Sequence, residues 1–354
     1  MARVSEGGQC PPYGIGWLAM HVADAILSPA VCGGTAVLAA GALGLSLREL
    51  SGRASARTVP LTGMLAAMIF AGQMVNFPLF GLPVSGHLLG GVLASVMVGP
   101  AAGLVAIAVV LAIQMLLFGD GGWLAYGANV LNMGVIGGFC GYAVYRFVRR
   151  WVPDERGIVL GSVVGAWLSV MAASFAFCIE FALSHPQGTY DLLRIVTLMT
   201  SLHALIGIGE ALITGLVLAY VVGLARRSDL VYEPLVDSRA AAVGRVFWLG
   251  IGVALAVAAF AAPFASGYAD GLEAVGERTG FGDLAAEPKT LWLEDYAVPW
   301  FGEGGGVWER AAVSVAGIIG TVAVVVISLV CDRLTSRQLA LRGDGMPPLS
   351  GNAS

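Results

Sequence analysis

Two histidines and one methionine carry the chemistry that stands out in this chain. His21 follows Met20 in Met-His-Val-Ala-Asp, and His87 sits in Val-Ser-Gly-His-Leu-Leu-Gly-Gly. If Met20 is the first residue of the mature chain, its α-amine, the His21 amide nitrogen and the His21 imidazole can hold one cation through fused chelate rings. A second imidazole, from His87, fills a fourth in-plane position. Four nitrogens in a square suit Ni(II), low-spin Co(II) or Cu(II), and suit Zn(II) poorly. The amine is nucleophilic near neutral pH, since its pKa is about 7.7–8.0. No HExxH, CxxC pair or carboxylate cluster in the sequence offers another cage. The plain alternative is that both are interfacial histidines, and spacing alone does not decide between the two.

The remaining chain must bring these distant positions together, and its composition says in what solvent. Of 354 residues, 57% are hydrophobic and 12% charged, with mean hydropathy +0.82. Soluble domains carry about 25% charged residues, so lipid is the solvent and the expected fold is an all-α, polytopic membrane helix bundle. Apolar segments at 28–47, 58–77, 86–98, 101–118, 126–147, 157–183, 190–225, 245–263 and 311–330 predict about nine crossings, where a helix needs about 20 residues to cross. Seven would form a core and two a C-terminal module. The 86–118 stretch is too long for one crossing and is split at Gly99-Pro100, a turn signal. The 190–225 segment is too long for one straight crossing, and Gly207 and Gly209 allow a bend.

Arginines order these spans. Arg48, Arg53 and Arg57, then Arg146, Arg149, Arg150 and Arg156, then Arg226, Arg227, Arg239 and Arg245, and finally Arg333, Arg337 and Arg342 fall on alternate loops. The positive-inside rule puts those loops in the cytoplasm, the N-terminus outside and the C-terminus inside. All four histidines, His21, His87, His185 and His203, then lie in the outer half.

Five domains follow. Residues 1–19 lack the charged and apolar regions of a signal peptide and read as an extension absent from the mature chain, with Met20 the true start. Residues 20–227 form the metal-capture domain, 228–244 a cytoplasmic linker, 245–331 a two-helix module with an acidic outer loop at 264–310, and 332–354 a cytoplasmic tail. The five cysteines are scattered singly, without ligand spacing.

Polar residues inside apolar spans need a reason, because an uncompensated charge at membrane depth costs about 2.5–3.5 kcal/mol or more. His203 and Glu210 lie seven apart, on one helical face. Either they support or gate the metal, or they form a buried structural pair. Gln73, Asn76, Asn129 and Asn132 make packing hydrogen bonds or orient the metal-bearing N-terminus. Glu180, near an outer helix end, is expected to snorkel.

The runs MHVADAILSP, AGQMVNFPLFGLPVSGHLLGGVLASVMVGP, LLFGDGGWLAYGANVLNMGVIGGFCGY and LHALIGIGEALITG resemble the CbiM/NikM family. These are the substrate-binding membrane components of energy-coupling-factor (ECF) transporters for cobalt and nickel. The resemblance covers roughly 20–226. It implies a mature chain beginning Met-His, with the ion held at Met20, His21 and His87. It also implies that His203 and Glu210 are retained without a direct ligand role. The C-terminal module resembles the PDGLE or CbiN/NikN-like domain fused to such proteins, through Ala-Asp-Gly-Leu-Glu at 269–273, with Ala269 in place of the usual proline.

The resemblance implies high-affinity capture and uptake of Ni(II) or Co(II) as cargo, with no prosthetic group. It implies an ECF transmembrane coupling subunit, docked on an alanine-rich face such as Ala36/Ala40 or Ala67/Ala71, and separate ATPase subunits. The setting is a bacterial or archaeal cytoplasmic membrane, with no nucleic acid. No GxxxxGK[ST] motif occurs, so the chain itself is read as a transport subunit and not an enzyme. A membrane-embedded metal-dependent enzyme would need an open coordination position. A stand-alone channel or secondary carrier would predict inverted repeats. Nickel and cobalt both accept the nitrogen set, and the choice between them stays open.

Overall fold

The computed structural model describes residues 21–53, 58–79, 81–227, 240–286, 293, 296 and 306–343. In chain order these form α1 (Pro29–Arg53), α2 (Thr58–Gln73), the strands β1 (Phe77–Pro78) and β2 (Ser85–Gly86), α3 (Gly91–Val98), and α4 (Pro100–Ile113) with a π-helical end to Phe118. Then come α5 (Tyr126–Asn129), continued by a π-helical stretch to Cys140 into α6 (Gly141–Trp151), α7 (Glu155–Ser184) and α8 (Leu192–Arg227). The module adds α9 (Ala240–Ala256), the short α10 (Gly271–Thr279) and α11 (Val307–Gly343).

Six helices among the described residues are long and apolar enough to cross a membrane: Pro29–Ser51, Pro100–Phe118, Glu155–Ser184, Leu192–Leu224, Val246–Phe264 and Val307–Val330. Their outward faces carry Leu45, Leu216, Trp248 and Phe260, all more than half exposed. Contiguous apolar surface of that kind belongs in lipid. The chain is therefore an all-α, multi-pass membrane bundle.

Three expected crossings fall outside this set, each for a physical reason. Helix α2 is apolar but has only 16 residues. Helix α3 has 8 residues, a rise of about 12 Å against a hydrocarbon core of about 30 Å. The run from α5 to α6 is long enough but carries Asn129 and Asn132, and arginines at its end. The expected break is present: α3 stops before Gly99, whose φ is 90°, and Pro100 opens α4 at the position where its missing N–H costs nothing. Helix α8 runs as a single element, and Gly207 and Gly209 are the places where Trp167 and the Phe77 ring come close to it.

Helix α3 is buried along its whole length. The most extensive helix pairing is α7 with α8, and the module's α9 and α11 both pack on α2. The strands β1 and β2 pair antiparallel, Phe77 opposite Gly86. They end in an extended stretch, 87–90, that is buried in the bundle.

Candidate metal centre

His21 lies just before α1 and is 3% exposed. The preceding residue, Met20, lies outside the described residues. Three contacts fix the segment. The Asn129 side chain clasps Val22 from both sides, accepting its N–H at 2.9 Å and donating to its carbonyl at 3.0 Å. Asp24 Oδ1 accepts the N–H groups of Leu124 and Ala125 at 2.8 and 3.1 Å. His185 Nε2 donates to the Ile26 carbonyl at 2.9 Å, tying the loop to the end of α7. The Phe-Gly-Asp-Gly-Gly turn after α4 passes directly beneath. Gly121 has φ 95°, and a Cβ there would sit 3.1 Å from His21 Cβ; one on Gly122 would sit 2.1 Å from Asp24 Oδ1.

That turn supplies Asp120, whose Oδ1 is 2.8 Å from His21 Nδ1. Its Oδ2 accepts the Tyr296 hydroxyl at 3.0 Å. Burial opposes a charge on the His21 ring, but the Asp120 carboxylate beside it prevails and holds the ring's pKa above the ordinary imidazole value. The other ring nitrogen, Nε2, is buried with no hydrogen-bond partner among the described residues. A buried polar atom left unpaired costs about 1–3 kcal/mol.

His87 stands on the buried extended stretch, where backbone groups have no helical partners. Such backbone is tolerated at membrane depth only where protein groups satisfy it. Glu210, on α8, does this: its carboxyl accepts the Leu89 and Gly90 N–H groups at 2.7 and 2.9 Å. Gln73, at the end of α2, donates to the Leu89 carbonyl at 3.1 Å. His87 Nδ1 lies 3.1 Å from the Leu88 carbonyl, which makes Nδ1 the donor and leaves Nε2 as the basic nitrogen. The His21 and His87 rings are 5.6 Å apart between centroids.

A cavity of about 80 Å³ opens between them, lined also by His203, Asn132 and Asp270. His203 faces it but does not pair with Glu210; its Nδ1 donates to the Met199 carbonyl at 2.8 Å. Asn76 gives its carbonyl to the Ser266 N–H, and its buried Oδ1 has no hydrogen-bond partner among the described residues. Glu180 does not snorkel: it is 6% exposed and accepts a hydrogen bond from Asn132 at 2.8 Å, because the facing helix presents an amide at its level.

Among the described residues no three His, Cys, Asp or Glu side chains already converge on one point. What the side chains provide is an open pair of imidazoles with carboxylates behind them. Asp120, Asp270 and Tyr296 were not singled out from the sequence as site residues. The available signal for Asp120 was an acidic residue between glycines at the end of an apolar span; for Asp270 it was its place in the Ala-Asp-Gly-Leu-Glu run.

The fold is thus a multi-pass membrane bundle that buries two facing imidazoles. The chain belongs to the CbiM family, described as the cobalt uptake substrate-specific transmembrane region, which matches residues 21–230. A PDGLE domain matches residues 244–337. The fused protein NikMN of Archaeoglobus fulgidus is 34% identical over 320 residues, covering 89% of this chain and 98% of that protein. The cobalt transport protein CbiM of Geobacter sulfurreducens is 31% identical over 172 residues, covering 48% of each. A crystal structure of a truncated transition metal transporter superposes with TM-score 0.53 at 31% identity, covering 58% of this chain and 99% of that one.

Proposed function

We propose that the chain captures Ni(II) or Co(II) at the outer face of the membrane and delivers it inward with separate coupling and ATPase subunits. The ligands are the Met20 amine, the His21 amide and imidazole, and the His87 imidazole. One observation carries the reading: two buried rings from segments far apart in sequence meet at 5.6 Å. The His87 Nε2 and the cavity between the rings supply the rest.

The chelate sets a condition on His21. Only Nδ1 closes a six-membered ring with the His21 amide, and Nδ1 is bonded to Asp120 here. Loading therefore exchanges that bond for the metal. Asp120 holds the imidazole in place until the ion arrives, and its charge attracts the ion. The reading takes Met20 as the mature first residue, since a preceding peptide bond would remove the amine.

The arginine pattern orients the molecule, with the histidine end outside and the C-terminus inside. A test is Ni(II) and Co(II) titration of purified chain beginning at Met20. The His21→Ala and His87→Ala variants are expected to lose at least tenfold in affinity. Parental affinity in both would contradict the assignment.

A further inference from the structure

The C-terminal module does more than pack on the bundle. Its segment 266–270 runs beside the β-hairpin that carries His87: the Ser266 N–H donates to the Asn76 carbonyl, and the Ser85 N–H to the Ala269 carbonyl, both at 2.8 Å. The Ser85 hydroxyl adds a bond to the Tyr268 carbonyl at 2.7 Å. These bonds set the register of the next residue. Asp270 is 3% exposed and caps α10 with Oδ1, which accepts the Glu273 N–H at 2.8 Å. Its other oxygen, Oδ2, stands 3.8 Å from His87 Nε2. The following glycine lets the backbone come close: a Cβ on Gly271 would lie 2.5 Å from the Ile206 side-chain end and 3.0 Å from the His203 ring.

At 3.8 Å the carboxylate is too far from the imidazole for a hydrogen bond. A cation bound to both atoms, with bonds of about 2.0–2.2 Å, draws the carboxylate in by less than about 1 Å to a position beside the nitrogen square. His21 lines the same cavity. The module touches the first ring as well, through Tyr296, which bonds the Asp120 carboxylate behind His21.

Resting on the proposed capture site, we propose that Asp270 supplies a carboxylate oxygen to the captured cation, so that the metal centre is shared between the two fused modules. The oxygen adds to the nitrogen set and places a negative charge against a dication in a buried site. A fifth donor favours an ion that accepts five ligands over one confined to a square of four nitrogens.

The test uses the purified full-length protein with Ni(II) alone, and Co(II) as an optical probe. Asp270→Asn keeps an Oδ1 able to cap α10, since asparagine caps as well as aspartate, but removes the charge. The expected result is at least a tenfold loss of Ni(II) affinity, with a shifted d–d absorption spectrum for bound Co(II). A purely structural role would leave that spectrum unmoved. Asp270→Ser retains a cap with a shorter side chain and is expected to give the same shift. Parental affinity and an unchanged spectrum in both variants, alongside lost binding in His87→Ala, would overturn the shared centre while leaving the histidine site standing. Parental binding in His21→Ala and His87→Ala would overturn both.

Discussion

Asp120 sets the proton balance at the site. It raises the pKa of His21 above the ordinary imidazole value, and a metal binds only the deprotonated ring. Protons therefore compete with the cation to a higher pH than at a free imidazole, about 6.5. Ni(II) affinity should climb as pH rises through and beyond that value, read by titration at several pH values. Asp120→Asn keeps an oxygen that can accept from the ring but removes the charge. It should shift the rise in Ni(II) affinity to lower pH. An unchanged profile would separate Asp120 from His21. Glu210 acts on the other ring. In Glu210→Gln one of the Leu89 and Gly90 N–H groups meets an amide donor. A cost of about 1–3 kcal/mol is expected, seen as a lower unfolding temperature for the metal-free protein and weaker Ni(II) binding.

Elements place these residues by clasping loops, and here the sequence was only partly legible. His21 and His87 stood out because histidine is rare in this chain and both flank apolar runs. Asn129 and Gln73 were read as amides with two possible uses, and the structure shows Asn129 on Val22 and Gln73 on Leu89. Asp120 and Asp270 were not legible as partners of the histidines. Each meets its partner across about a hundred or more residues of chain, and no local period encodes such a pairing. Glu180 misled for the same reason: its Asn132 partner is on another helix. The break at Gly99-Pro100 and the shortness of the helix before it were legible because glycine and proline act locally, whereas the start of α3 at Gly91 was not, because the apolar run from 86 begins in non-helical backbone. Gly122→Ala tests the turn beneath His21. Its Cβ would meet Asp24 Oδ1 at 2.1 Å, so the Asp24 bonds to Leu124 and Ala125 must break. Protease sensitivity near the turn and at least tenfold weaker Ni(II) binding are expected; parental behaviour in both would show that the turn does not position His21.

At the scale of the whole molecule, the bundle gathers all four histidines at one end. His21, His87 and His203 line one cavity, and His185 bonds the loop that carries His21. The proposed orientation puts that end outside. A single cysteine introduced at Gly188 in a chain otherwise free of accessible thiols should react with an impermeant thiol reagent in intact cells. One introduced at Pro153, on the arginine-rich loop, should react only after the membrane is opened. The reverse pattern would invert the topology and place the site on the cytoplasmic side.

The central claim is one divalent ion held by a liberated amine and two imidazoles. Nickel-edge X-ray absorption on Ni(II)-loaded protein purified from its native membrane measures that coordination shell. The account predicts only light-atom ligands, with the multiple-scattering pattern of two imidazoles per nickel. A shell with no imidazole or a single one, or a shell containing sulfur, would contradict it.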